Sequence, residues 1–93
     1  MNSNRFEWDD AKAITNLRKH QIAFEDAQTV FDDPNAVLAI DDADDEIRDC
    51  TIGLSSVGLL LVVSTERGDR IRIISARRAT RHEQDGYYRQ AIP

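Results

Sequence analysis

The chain has 93 residues, of which 41% are hydrophobic and 31% charged, and its formal net charge at pH 7 is −5. This size and composition predict one globular domain, residues 1–93, and exclude a disordered chain. The longest apolar run, residues 57–63, is too short to cross a bilayer, and the first residues lack the apolar stretch of a signal peptide. With a single cysteine, Cys50, no internal disulfide can form, so we expect a cytoplasmic protein with no membrane contact.

The first third of the chain predicts a short strand and then a helix. Residues 5–8 alternate in character, which places Phe6 and Trp8 on one face of a strand. An aspartate at position 9 or 10 can cap a helix that runs to about His20. Three apolar residues are expected on the buried side of this helix: Ala13, Ile14 and Leu17.

A second helix fits residues 24–31, whose apolar positions follow a helical stripe. It should stop at Asp33-Pro34, because the residue before a proline avoids the α region. Three strands are predicted to follow, at residues 36–41, 47–54 and 58–65. The expected core includes the largest apolar side chains and the fourth strand: Trp8, Phe24, Phe31 and Leu59–Val63.

The last third predicts one more strand, after a turn at Gly68, and a final helix. Alternation in residues 70–77 assigns Ile71, Ile73, Ser75 and Arg77 to one face and Arg70, Arg72, Ile74 and Ala76 to the other. Thr80 and Glu83 have the spacing of a capping box, so the last helix should begin near Arg81. The order β-α-α-β-β-β-β-α predicts an α+β fold, an antiparallel β-sheet packed by helices.

Positive charge is concentrated in the second half of the chain. Residues 1–49 carry a formal charge of −8 and residues 50–93 carry +3. Five arginines lie in or beside the last two predicted strands: Arg67, Arg70, Arg72, Arg77 and Arg78. Guanidinium groups match phosphate oxygens in geometry and charge, which indicates an RNA or phosphate surface. The alternative is that these arginines serve solubility and pair with the acidic half.

The densest acidic stretch is residues 41–46, which contain five Asp or Glu side chains. It is either a solvated loop or an acidic face that docks a basic partner or shields the arginines. The two histidines, His20 and His82, have no Cys or His at ligand spacing, and no glycine-rich phosphate loop is present. We therefore predict neither a metal nor another cofactor.

RNA can be cleaved by its own 2′-hydroxyl, which requires a base, an acid and cations but no metal. The candidates for proton transfer are His20, His82, Lys19, Tyr87 and Tyr88. Each has a structural alternative, since His20 can simply end a helix and the tyrosines can serve packing. From the residues alone, an RNA-binding role and a structural role for the arginines are equally supported.

Several motifs occur in a specific order between residues 5 and 88: Phe6-Glu7-Trp8-Asp9, Lys19-His20, Val30-Phe31-Asp32-Asp33-Pro34, Thr65-Glu66-Arg67 and Ile73-Ile74-Ser75-Ala76-Arg77. Their order and spacing resemble the BrnT toxin family of bacterial type II toxin–antitoxin systems. The resemblance implies a RelE-like fold and a ribonuclease that halts translation. It also implies a BrnA antitoxin that neutralises the toxin, with DNA bound only through the antitoxin.

The positions that match the family imply a site built from Lys19, His20, Arg48, Arg67 and Arg77. To these we add Tyr88, from its place on the last helix. Our expected catalytic set is His20, Arg48, Arg67, Arg77 and Tyr88. The expected RNA-binding set is Lys19, Arg70, Arg72 and Arg78. Two other functions stay open: a non-catalytic partner and co-repressor of a DNA-binding antitoxin, and a small enzyme acting on a phosphate ligand.

Overall fold

The computed structural model describes residues 5–41 and 48–91. The elements are β1 (Phe6–Glu7), α1 (Asp10–His20), α2 (Phe24–Ala27), a 3-10 helix (Gln28–Asp32), β2 (Val37–Asp41), β3 (Arg48–Ser55), β4 (Gly58–Arg67), β5 (Arg70–Arg78) and α3 (Arg81–Ala91). The α+β class and the predicted order are confirmed, with the second predicted helix divided into a short α-helix and the 3-10 helix. The acidic stretch lies outside the described residues, except for the backbone of Asp41.

The five strands form one sheet in the order β1-β5-β4-β3-β2. Strands β2 to β5 are antiparallel, as tight turns between consecutive strands require, whereas β1 pairs with β5 in parallel. The sheet is therefore mixed. No short turn can join β1 to its partner β5, because two α-helices, the 3-10 helix and three strands lie between them in the sequence.

One face of the sheet packs against α2 and the 3-10 helix, α1 lies beside the edge of β5, and the core lies between these elements. Its buried apolar residues are Phe6, Trp8, Ile22, Phe24, Ala27, Val30, Leu60, Val62, Ile73 and Ala76. The core positions predicted for Trp8 and Phe24 are confirmed. Phe31 is only half-buried, with its ring 5.3 Å from that of Phe6. Within Leu59–Val63 only alternate residues are fully buried, because the others lie on the opposite face.

Of the three apolar residues predicted on the buried side of α1, Ala13 packs against the core, but the fully buried residue of this helix is polar. Ile14 and Leu17 are 54% and 50% exposed, whereas Asn16 is 5% exposed. The Asn16 amide nitrogen donates to the Ile22 and Ala76 carbonyl oxygens, at 3.0 and 2.9 Å, and its oxygen accepts from the Ala76 amide, at 3.0 Å. The helix lies beside the edge of β5, where unpaired backbone groups require hydrogen bonds more than apolar contact.

Where the two strands pair, β5 contributes one residue more than the stretch of β4 opposite it. Ile73 lies opposite Ser64 and Ser75 lies opposite Val63, so Ile74 forms a β-bulge. The two faces predicted for residues 70–77 are therefore wrong beyond Ile73. Buried positions in β5 are Ile73 and Ala76, three residues apart instead of two.

The sequence signals for the termini of the helices are confirmed. The Asp9 side chain accepts a hydrogen bond from the Lys12 amide at the start of α1. Thr80 and Glu83 form the reciprocal hydrogen bonds of a capping box at the start of α3. In the part of the chain that the structure describes, no helix has the length and apolar character needed to cross a membrane.

Candidate functional site

The bulge at Ile74 brings Arg77 onto the same face of the sheet as Arg70 and Arg72, the face opposite α2 and the 3-10 helix, whereas Arg78 lies opposite Leu60 on the helix side. Residues directly opposite one another in neighbouring strands share a face. Arg70 lies opposite Arg67, Arg72 opposite Thr65, Ser75 opposite Val63, and Arg77 opposite Leu61. The four β4 partners are alternate residues, so the β5 residues opposite them all lie on the face that we call the arginine face. In a regular strand Arg72 and Arg77 would lie on opposite faces.

The two central arginines of this face are each bound to a carboxylate. Arg72 donates to Glu7 at 2.8 Å. Arg77 makes a two-pronged ion pair with Glu83, with nitrogen–oxygen distances of 2.8 and 2.9 Å. The hydrogen bond from Arg77 is the main cause that lowers the pKa of Glu83 to about 2. The same bond raises the pKa of Arg77. Both guanidinium groups are thus oriented, and phosphate must share or replace a carboxylate.

A pocket of about 250 Å³ lies between the C-terminal half of α1 and the bulged part of β5. It is lined by Lys12, Thr15, Asn16, Lys19, His20, Ile74 and Ser75, and we call it the α1 pocket. The helix ends here because Gln21 takes the left-handed conformation, with φ 61°, and its amide donates to the Leu17 carbonyl. Lys19 and His20 are therefore presented in the last turn, held against β5 by the hydrogen bonds of Asn16.

Ser75 belongs to both features. It lines the α1 pocket with Lys19 and His20, and it lies on the arginine face between Arg72 and Arg77. Ser75 is therefore the point on β5 where the α1 pocket, with Lys19 and His20, meets the face that carries Arg72 and Arg77. A histidine can accept and donate protons near neutral pH, and the cations can stabilise an anionic phosphorus centre.

Other predicted residues lie farther from this centre. Arg67 and Arg70 are exposed at the β4–β5 turn, about 20 Å along the strand from Arg77. Gly68 in that turn has φ 65°, as its predicted role required. Arg48 begins β3, where alternation places it with Cys50 on the arginine face, two strands from β5. None of these three arginines lines the α1 pocket as the described residues define it.

Arg78 and the tyrosines lie toward the β3–β4 turn. Arg78 donates to the Val57 carbonyl at 2.9 Å and so supports that turn. Tyr87 is buried and its hydroxyl donates to Asp33 at 2.6 Å. This hydrogen bond, together with burial, raises the pKa of Tyr87 to about 12, which suits a structural role. Tyr88 is half-exposed and packs edge-on against Tyr87, at 5.1 Å between ring centroids.

Sequence reasoning did not predict the two carboxylate partners, Glu7 and Glu83, or five of the seven residues that line the α1 pocket: Lys12, Thr15, Asn16, Ile74 and Ser75. Lys12, Thr15 and Lys19 recur at the spacing of one helix face, so this signal was present in the sequence. Ser75 could not be assigned, because the bulge that directs it leaves no mark in the alternation. Among residues 5–41 and 48–91, no group of three His, Cys, Asp or Glu side chains could hold a metal ion.

Comparison with models of protein families gives one finding. Residues 8–83 match the family described as ribonuclease toxin, BrnT, of type II toxin–antitoxin system. The matched stretch includes the α1 pocket, all of β5 and Glu83, and it ends before Tyr87 and Tyr88. A search of curated proteins found no match.

Proposed function

The chain belongs to the BrnT family of ribonuclease toxins of type II toxin–antitoxin systems, and from that premise we propose that it cleaves RNA without a metal ion at Ser75 and its surroundings. The family supplies the substrate class, RNA, and the class of partner, an antitoxin. The observation that supports the location is the position of Ser75, which is shared by the α1 pocket and the arginine face.

In the proposed reaction a phosphodiester lies over Ser75. The 2′-oxygen attacks the adjacent phosphorus, its proton is lost to a base, and the bond from phosphorus to the 5′-oxygen breaks as that oxygen gains a proton. His20 is the pocket side chain suited to one of these proton transfers. Lys19, Arg72 and Arg77 stabilise the negative charge that develops on the non-bridging oxygens. The products are a 2′,3′-cyclic phosphate and a 5′-hydroxyl.

The remaining cations of the arginine face extend the proposed RNA surface. Arg67, Arg70 and Arg48 would contact the phosphates of flanking nucleotides, which positions the strand without reading its sequence. On α3 the half-exposed ring of Tyr88 can stack on a base, whereas Arg78, opposite Leu60 on the helix side and bonded to the Val57 carbonyl, does not extend this surface. The consequence in the cell would be cleavage of cytoplasmic RNA and an arrest of translation. A BrnA-like antitoxin would neutralise the toxin and alone contact DNA.

Purified wild-type chain and variants, incubated with end-labelled RNA in EDTA, test the mechanism. His20→Ala should slow cleavage by about 10²–10⁴-fold and Arg77→Ala by about 10²–10³-fold. Arg18→Ala is the matched control: Arg18 is also in the last turn of α1 but does not line the α1 pocket. It should change the rate less than about twofold, since it keeps the catalytic groups. A strict Mg²⁺ requirement, 3′-hydroxyl products or full activity of His20→Ala would contradict the proposal.

A second function is favoured by the ion pairs of Arg72 and Arg77. Because Glu7 and Glu83 already bind these guanidinium groups, the chain could serve as a non-catalytic partner of its antitoxin. Expression of the chain alone separates the two functions. Growth arrest that is lost in His20→Ala supports the ribonuclease, whereas normal growth with intact antitoxin binding supports the partner role.

A further inference from the structure

A second concave surface lies on the helix side of the sheet, away from the arginine face. It is a groove of about 260 Å³ between the 3-10 helix and the end of the sheet nearest the β4–β5 turn. Its apolar walls include Phe31, Ile71 and Leu38, and Leu38 is 62% exposed. The volume is below the range of roughly 300–1,000 Å³ that is typical of small-molecule pockets, so the groove suits one or two side chains.

The groove carries negative charge. Asp49 and Glu66 both line it, on neighbouring strands, where Asp49 lies opposite Ser64 and Glu66 opposite Ile71. None of the described residues that line it is a lysine or an arginine. Two carboxylates beside an apolar floor repel phosphate and attract cations. RNA is therefore a poor occupant of this surface, and a cationic peptide is a good one.

We propose that this surface, which we call the acidic groove, docks a basic amphipathic segment of the antitoxin. An apolar side chain of that segment would cover Leu38, Phe31 and Ile71, and flanking lysines or arginines would reach Asp49 and Glu66. Strand β2 is an edge of the sheet formed by the described residues, so the backbone beside Leu38 can also receive an extended segment. The identity of the partner rests on the family; the site and its chemistry rest on the groove.

The location separates two tasks of the antitoxin. The acidic groove and the arginine face lie on opposite faces of the sheet. A segment seated in the groove therefore anchors the antitoxin without touching His20, Lys19 or the arginines. Inhibition requires a different part of the antitoxin, or its bulk, to cover the arginine face. Anchoring and inhibition should respond to different substitutions.

Isothermal titration of the full chain with its purified cognate antitoxin tests the groove. Leu38→Glu and Glu66→Lys should each weaken binding by about tenfold or more, since central interface positions commonly have effects of this size. The matched controls are Ile14→Glu, at a position 54% exposed on α1, and Asp10→Lys, an exposed acid in the first turn of the same helix. Both controls should stay within about twofold of wild type, because neither residue lines the groove.

Other outcomes of the titration would overturn docking at the acidic groove. Unchanged affinity of both groove variants, or an equal loss in the controls, overturns the proposal. A wild-type dimer that both groove variants dissociate, with antitoxin affinity intact, also overturns it by showing a second copy in the groove. If Leu38→Glu fails to fold by circular dichroism, Glu66→Lys carries the test. RNA cleavage is measured in parallel: an inactive wild type refutes the proposed function and leaves the binding result valid.

Discussion

Helices α1 and α3 have the same length, eleven residues, but they are fastened to the sheet by different chemistry. Helix α1 is held by a neutral amide, that of Asn16, which bonds only to backbone groups. Helix α3 is held by two contacts with ionised carboxylates, from Tyr87 to Asp33 and between Arg77 and Glu83. The first attachment does not depend on pH, whereas both attachments of α3 do.

This difference corresponds to what each helix brings to β5. Helix α1 carries Lys19 and His20, whose positions relative to Ser75 the Asn16 amide fixes. Helix α3 brings Glu83 to Arg77 in the same forked geometry that a phosphate would use. Under the proposed function, α1 would hold the proton-transfer side in a fixed position, and α3 would supply a carboxylate that substrate can replace on Arg77.

The largest effect is expected from breaking the attachment of α1. Asn16→Leu would leave the buried amide and carbonyl of Ala76 without their partners, so the free energy of unfolding should fall by about 3–4 kcal/mol. Urea denaturation measures this loss. Ala11→Leu, at an exposed position on the same helix, is the control and should change stability by less than about 0.5 kcal/mol. A loss below about 1 kcal/mol for Asn16→Leu would mean that the amide does not fasten the helix.

Removing the Tyr87 hydroxyl breaks one attachment of α3. Tyr87→Phe should lower the free energy of unfolding by about 2 kcal/mol, because the hydroxyl donates to an ionised acceptor in a buried place. Tyr88→Phe, with its ring half-exposed, should have almost no effect on the same denaturation curve. In the folded protein the pKa of Tyr87 is raised from 10 to about 12. The contribution is therefore lost as the pH rises from 10 through 12, and in acid it is lost as Asp33, whose pKa is lowered in the folded protein, becomes protonated. Equal losses for both variants would refute the assignment.

The sequence predicted most of the fold because local signals agree with it. The Asp9 cap, the Thr80–Glu83 capping box and the turn at Gly68 each depend on a few neighbouring residues. The burial predicted for Ala13 is confirmed in part, but that of Ile14 and Leu17 was wrong, because periodicity assumes that a helix packs through an apolar face, and this helix lies beside a strand edge. The shared face of Arg72 and Arg77 could not be predicted either, since a bulge is set by pairing with β4 and not by β5 alone.

The candidate site was predicted in part for the same reason. Lys19 and His20 are adjacent in sequence, and the arginines follow one strand, so their residue types were visible. Whether they meet depends on long-range geometry. The Asn16–Ala76 contact spans 60 residues, and no local pattern reports it. Their roles in cleavage stay predictions.

The attachment of α3 through the Arg77–Glu83 pair should weaken in acid, unlike the attachment of α1. The folded state lowers the pKa of Glu83 from 4.5 to about 2, so its contribution is present above pH 4.5 and is lost as the pH falls through 2. Because the Arg77 side chain is 38% exposed, we expect the ion pair to contribute only about 1 kcal/mol to the free energy of unfolding at neutral pH. Glu83→Gln preserves an acceptor for the Thr80 amide. Its difference from wild type in unfolding free energy should shrink between pH 5 and pH 2; a constant difference would contradict the assignment.

The smallest effect on stability is expected at Ile14 and Leu17, which the apolar periodicity of α1 predicted to be buried. Ile14→Ser and Leu17→Ser should each change the free energy of unfolding by less than about 0.5 kcal/mol, because both side chains are half-exposed. Thermal or urea denaturation of the isolated chain checks this. A loss above about 2 kcal/mol at either position would restore the apolar attachment of α1 and remove the contrast with α3.

The bulge at Ile74 also has an evolutionary consequence. If the codon for Ile74 were lost, Arg72 and Arg77 would be four residues apart, and a regular ladder with β4 would keep both of them on the arginine face. If the strand kept all its residues but paired regularly with β4, Arg77 would instead lie on the face opposite Arg72, where the helices pack and a guanidinium group is costly to bury. The extra residue and the irregular pairing therefore have to be gained or lost together for the two arginines to stay on one face.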